Sequence, residues 1–158
     1  ITVQRAPLRA FNVDASNCPD LFPIISVLAS FCQGTSRIEG VGRLANKESD
    51  RAKAIVDMLT RMGVKVYVEG DVMVIEGHSL AQRLLAKGAE MEGGSSGRAD
   101  GCGLLKGGSY TSHHDHRMVM ALKVAQLGAD GPIVIDDEEC VAKSFPQFHD
   151  TFGRLVVR

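Results

Sequence analysis

Tryptophan is absent, and Phe and Tyr supply only 5% of the residues, so the aromatic faces on which single-stranded nucleic acid stacks its bases are scarce. A strong charge of one sign is missing too: Lys and Arg number 18, Asp and Glu 19, and the formal net charge is -1. Nucleic acids and anionic surfaces are usually met by a basic field, so the balance argues against nucleic acid as a partner. Any cationic site has to be local. No apolar run approaches the roughly 18 residues that span a bilayer, and no basic-then-apolar leader is present, so no membrane partner is expected. The four cysteines, at 18, 32, 102 and 140, form neither a C-x-x-C pair nor a short secreted framework. They read as the reduced thiols of a cytoplasmic protein.

What is present suits a soluble globular protein: 44% hydrophobic and 23% charged residues in a chain of 158, enough for one packed core. The chain opens on Ile1 directly in an alternating stretch, "ITVQRAPLRAFNVDA", which reads as a cut inside a larger protein. The pattern predicts an apolar helix from about 20 to 32, a strand in "TSRIEGV" and a helix from about Glu48 to Met62. Strands "VKVYVE" and "DVMVIEG" follow, joined by Gly70-Asp71, a hairpin signal. "SLAQRLLAKG" reads as a short helical piece. Residues 88 to 108, Gly-rich and aperiodic, read as a flexible insertion. An apolar helix begins at "DHRMVMALKVAQLGA", then the strand "PIVID" and a last helix from about Ser144. The predicted fold class is α+β, a mixed α/β arrangement.

The order helix, strand, helix occurs twice. Asp20 opens the first long helix and Asp115 the second, 95 residues on; Lys47 precedes one following helix and Lys143 the other, 96 residues on. Matching element order with matching polar positions indicates duplicated units that bury their apolar faces together.

The charged residues gather at the starts of these helices. There the first backbone N–H groups lack intrahelical partners and the macrodipole is positive, which suits an anion. In "KESDR" Lys47 and Arg51 are four apart and share a face, with Glu48 in reach of Arg51. Taken alone, this segment reads first as a solvated, capped first turn with a surface ion pair worth about 0–1 kcal/mol, since such capping patterns are common. "HHDHRM" adds Arg117 to another first turn, and "CVAKSFP" sets Lys143 before a third helix. If the repeat makes them converge, these cations suit a small ligand bearing carboxylate and phosphate groups, because guanidinium forks grip carboxylates and lysine supplies a point charge. Asp20 and Glu48 would stand beside them for proton transfer.

A metal is not expected. His113, His114 and His116 diverge at a helix start, and no second ligand pair with zinc spacing occurs. "GCGLLKGG" lacks the order of a phosphate-cradling loop and follows no strand. The methionines of "DMLTRM" and "MVMALKV" sit at helical spacing as core filler.

"CPDLFP" (18 to 23), "GTSRIEGVGRLANKESDR" (34 to 51), "DHRM" (115 to 118) and "DDEECVAKSFPQF" (136 to 148) together resemble the 5-enolpyruvylshikimate-3-phosphate synthase family, in its C-terminal part. The resemblance covers nearly the whole chain except 78 to 112. It implies two lobes, each of three βαβαββ units, with about two units of the C-terminal lobe present. It also implies the N-terminal lobe as a partner, a monomeric full-length enzyme and a cytoplasmic location. The implied reaction moves the enolpyruvyl group of phosphoenolpyruvate to the 5-hydroxyl of shikimate 3-phosphate, releasing phosphate, with no metal or organic cofactor.

By that resemblance Asp20 would bind the hydroxyls of shikimate 3-phosphate and act as base, Lys47 would bind the same substrate, and Glu48 would be the acid/base carboxylate. Arg51 and Arg117 would hold the carboxylate of phosphoenolpyruvate, Lys143 would stand near its phosphate, and His116 would support the site. The isolated chain is expected to bind phosphoenolpyruvate weakly without turnover. Two competing readings are a non-catalytic anion-binding domain and the sister enolpyruvyl transferase acting on a uridine-diphosphate sugar. The latter resembles the fold but relies on a cysteine in its N-terminal part and lacks a "KESDR"-like run.

Overall fold

The computed structural model describes residues 2, 6–45, 50–79, 81–83, 85 and 104–156. Lys47, Glu48 and most of the stretch from 88 to 108 lie outside the described residues.

The first unit runs β1 (Asn12–Asp14), a 3-10 turn (Pro19–Leu21), α1 (Phe22–Ser30), β2 (Gly34–Glu39), α2 (Arg51–Arg61), β3 (Lys65–Glu69) and β4 (Val72–Gly77). Its four strands form one sheet in the order β1-β2-β4-β3. β1 and β2 are parallel, joined through α1, and the other two pairs are antiparallel. β3 and β4 form the hairpin expected at Gly70-Asp71, with Gly70 at φ 61° and Glu69 opposite Val72. Only a residue that tolerates the left-handed region turns the chain this tightly at little cost.

The second unit runs β5 (Gly108–Tyr110), α3 (His116–Ala125), β6 (Ile133–Ile135), a 3-10 helix (Glu138–Lys143) and α4 (Phe148–Val156). β5 and β6 are parallel, again joined through a helix. Register makes the duplication explicit. Asn12 pairs with Arg37 in the first unit and Gly108 with Ile133 in the second, and 108 minus 12 equals 133 minus 37, namely 96. The flanking bridges Arg9 to Gln33 and Leu105 to Ala129 keep the same offset. A constant offset of 96 sets His116, rather than Asp115, opposite Asp20, and leaves Lys47 and Lys143 as counterparts.

The core is continuous across both units. α1 packs on β2 and β4 and also against α3, while α3 packs on β6 and on the following 3-10 helix. α2 turns Arg51, Ala54, Ile55, Met58 and Leu59 inward, the spacing of a one-sided helix. Phe22, Val27, Ile38, Leu59, Met73, Met118 and Leu122 are fully or almost fully buried in one cluster.

Three expectations need correction. α2 begins at Arg51 rather than Glu48: Asp50 is the cap, with a non-helical backbone and a side chain accepting from the Lys53 N–H at 3.2 Å, as short carboxylates do. The last helix begins at Phe148 rather than Ser144, because Pro146 disfavours helical backbone at the residue before it and Glu138–Lys143 forms a separate 3-10 helix. The insertion reading does not extend to its own end: Leu105 is fully buried and bridges to Ala129, and Gly108 opens β5.

Candidate active site

Three element starts meet at the parallel ends of the two units. Pro19 begins the 3-10 turn that carries Asp20, its ring fixing φ where a missing N–H does no harm. Arg51 is the first helical residue of α2 and Arg117 lies in the first turn of α3. Asp115 caps α3, accepting from the Arg117 N–H at 2.9 Å.

Arg51 is the hub. It is fully buried, and its guanidinium grips Asp115 with two bonds, Nε to Oδ2 at 2.8 Å and Nη2 to Oδ1 at 3.2 Å. Its remaining terminal nitrogen donates to Asp20 Oδ1 at 2.9 Å and to the Pro19 carbonyl at 3.4 Å. The other oxygen of Asp20 faces Arg117 Nη2 at 3.5 Å. Asp20 therefore stands between two guanidinium groups, with its side chain about half exposed. Such a lattice holds charge at low dielectric only when the fork geometry is satisfied.

Asp20, Arg51 and Arg117 are thus brought together from positions far apart in the chain. Lys143 is exposed at the end of its 3-10 helix, its ammonium donating to the His114 carbonyl at 3.3 Å, just ahead of α3. His116 is buried beside the cap. Arg117 Nε is buried and makes no hydrogen bond among the described residues. The sequence marks Asp115 only as a helix opener. Its cap role was legible in "DHR", but its pairing with a residue 64 positions away was not.

The loop that delivers α3 is held in an uncommon shape. His113 and His114 have φ of 53° and 55°, a region that residues with a Cβ seldom occupy. Their N–H groups bond to the Thr111 and Ser112 hydroxyls. Asp136 at the end of β6 accepts from both the N–H and the hydroxyl of Ser112, at 2.8 and 2.9 Å, and His114 Nδ1 lies 2.7 Å from Asp137.

Burial works to raise the Asp136 pKa, but hydrogen bonds from Ser112, Thr111 and the Asp137 N–H outweigh it and hold the carboxyl at about 2, against an ordinary 3.8. A folded pKa below the unfolded one means stability that is full above about 4 and lost as pH falls through about 2. An acid-unfolding titration of Asp136→Asn is expected to lose part of that dependence between those limits. An unchanged profile would contradict the assignment. The Cys140 thiol is pushed up by burial and by Asp137.

Among the described residues no group of three His, Cys, Asp or Glu side chains could hold a metal ion, and no helix is long and apolar enough to cross a membrane. A separate groove of about 700 Å³, lined by Leu8, Phe31, Val124 and Leu127 among others, lies at the C-terminal ends of α1 and α3, away from these helix starts.

A fold of this kind is that of the enolpyruvyl transferases. It superposes with a TM-score of 0.62 on the enolpyruvyl transferase NikO from Streptomyces tendae, covering 96% of this chain and 29% of that one. At 15% identity the likeness is one of fold alone. The EPSP synthase structure from Acinetobacter baumannii matches with a TM-score of 0.66 at 32% identity, over 86% of this chain and 27% of that chain.

The family model described as EPSP synthase (3-phosphoshikimate 1-carboxyvinyltransferase) matches residues 1–152, and the chain belongs to that family. It is 36% identical over 154 residues to the 3-phosphoshikimate 1-carboxyvinyltransferase of Clostridium botulinum (strain Alaska E43 / Type E3), which covers 97% of this chain and 30% of the relative. The namesake from Thermococcus kodakarensis is 38% identical over 156 residues, 99% of this chain and 33% of the relative. The chain thus spans about a third of the length of these relatives.

Proposed function

We propose that this chain supplies one wall of a site that transfers the enolpyruvyl group of phosphoenolpyruvate to the 5-hydroxyl of shikimate 3-phosphate. It would correspond to the C-terminal part of a monomeric, cytoplasmic enzyme whose other lobe completes the cleft. The observation that carries this reading is the convergence of Asp20, Arg51 and Arg117 from three element starts, in a chain of this family.

Both substrates carry a carboxylate and a phosphate, and bringing two such anions together requires fixed cations placed in advance. Arg117, whose side chain is partly exposed beside Asp20, is the group best placed to take a substrate carboxylate. Arg51 stands behind it. Its forks are committed to Asp115 and Asp20, so a direct grip on phosphoenolpyruvate requires it to share them. Asp20, held between two guanidinium groups, would bind the hydroxyls of shikimate 3-phosphate and accept the proton of the 5-hydroxyl. Lys47 would bind shikimate 3-phosphate, Glu48 would protonate the methylene carbon, Lys143 would face the phosphate, and His116 would support the first turn of α3. With the methylene carbon protonated, C2 becomes electrophilic and the hydroxyl adds to it with loss of its proton. The C3 methyl group then gives up a proton, the double bond re-forms and the bond from C2 to the phosphate oxygen breaks, releasing phosphate.

Calorimetric titration of the chain with phosphoenolpyruvate, with and without shikimate 3-phosphate, tests the reading. Weak binding is expected, lost on Arg117→Ala and weakened on Lys47→Ala, with no turnover by the chain alone. Absence of binding to either compound, or affinity indifferent to Arg117, would sink it.

A further inference from the structure

We infer that Asp115 is a positioning residue for this site: it sets the angle at which the Arg51 and Arg117 guanidinium groups are presented to an anionic substrate. The inference rests on the enolpyruvyl-transfer reading and deepens it. Asp115 makes contacts of three kinds at once. Oδ2 takes Arg51 Nε and Oδ1 takes Arg51 Nη2, so the guanidinium plane is fixed by two points rather than one. Oδ1 also takes the N–H of Arg117, so the same carboxylate fixes where the first turn of α3 starts. Its own N–H donates to the Ser112 carbonyl at 3.0 Å, tying it to the strained loop after β5.

The links close a ring. Asp115 holds Arg51, Arg51 holds Asp20, Asp20 faces the Arg117 side chain, and the Arg117 backbone returns to Asp115. Asp115 and Arg51 are fully buried, so neither has room to find another rotamer. Moving the Asp115 carboxylate moves both arginines.

Charge and geometry are separable. Asp115→Glu keeps the negative charge and displaces the carboxylate by one methylene, so it tests position alone. A carboxylate ligand needs the planar fork, whereas inorganic phosphate is satisfied by charge. In titrations of the folded chain well below its unfolding midpoint, Asp115→Glu is expected to weaken phosphoenolpyruvate at least roughly tenfold while inorganic phosphate shifts by less than about twofold.

A purely structural ion pair would lower the unfolding temperature and leave both affinities of the folded chain intact. That outcome overturns the inference. Should the variant fail to fold, the wild-type chain decides. The side-chain Nε–H of Arg51, followed by nuclear magnetic resonance, is expected to exchange slowly with solvent and to shift when phosphoenolpyruvate is added. Fast exchange or no shift overturns the inference. A wild-type chain that binds no phosphoenolpyruvate overturns the reading of the site and this inference with it, whereas wild-type binding matched by Asp115→Glu overturns the inference alone.

Discussion

Arg51→Ala is expected to destabilise the chain by about 3–5 kcal/mol, because it leaves the buried Asp115 carboxylate without the guanidinium that neutralises it. Two charges taken out of water are tolerable only as a pair in good geometry; one alone keeps the full desolvation penalty. In thermal unfolding the midpoint should fall by on the order of 10 °C. Replacing both partners, Arg51→Met with Asp115→Leu, is expected to restore only part of that stability, since an apolar pair leaves no buried charge but the Arg117 N–H loses its cap acceptor. The same double variant should lose affinity for phosphoenolpyruvate. A single variant as stable as the wild type would show that the pair is hydrated in solution.

Gly77→Ala is expected to have an effect of comparable size from a different cause. A Cβ built on Gly77 would lie inside the van der Waals envelope of the Ala29 and Cys32 carbonyl oxygens. Ala29 O is already held by the Cys32 N–H at 3.1 Å, and Gly77 is fixed opposite Gly34 in the sheet. Neither side can yield without parting α1 from β4. The expected loss is roughly 3 kcal/mol or more, read from urea unfolding. Gly70→Ala serves as a contrast: a Cβ there meets nothing within 4 Å, but φ is 61°. The loss there should be only about 1 kcal/mol, from backbone strain alone. Equal losses at the two positions would rule out a steric cause at Gly77.

Much of the local structure was legible. The Gly70-Asp71 hairpin follows from turn chemistry flanked by alternating strands, and α1 and α3 from apolar periodicity. The boundaries that moved did so for local reasons as well: Asp50 is a better cap than Glu48, and Pro146 stops a helix from starting at Ser144. β5, Gly108–Tyr110, is too short to show a period in the sequence, and its strand character comes from pairing with β6.

The site divides along the same line. The sequence determined that cations and carboxylates would stand at helix starts, because capping, dipole and periodicity are read from neighbours in the chain. Which of those groups face one another was decided only by packing. The Asp115 grip on Arg51 spans 64 residues and depends on α1 packing against both α2 and α3. Whether a charge lies in solvent or in a buried lattice depends on what the rest of the fold places over it, and no local pattern encodes that.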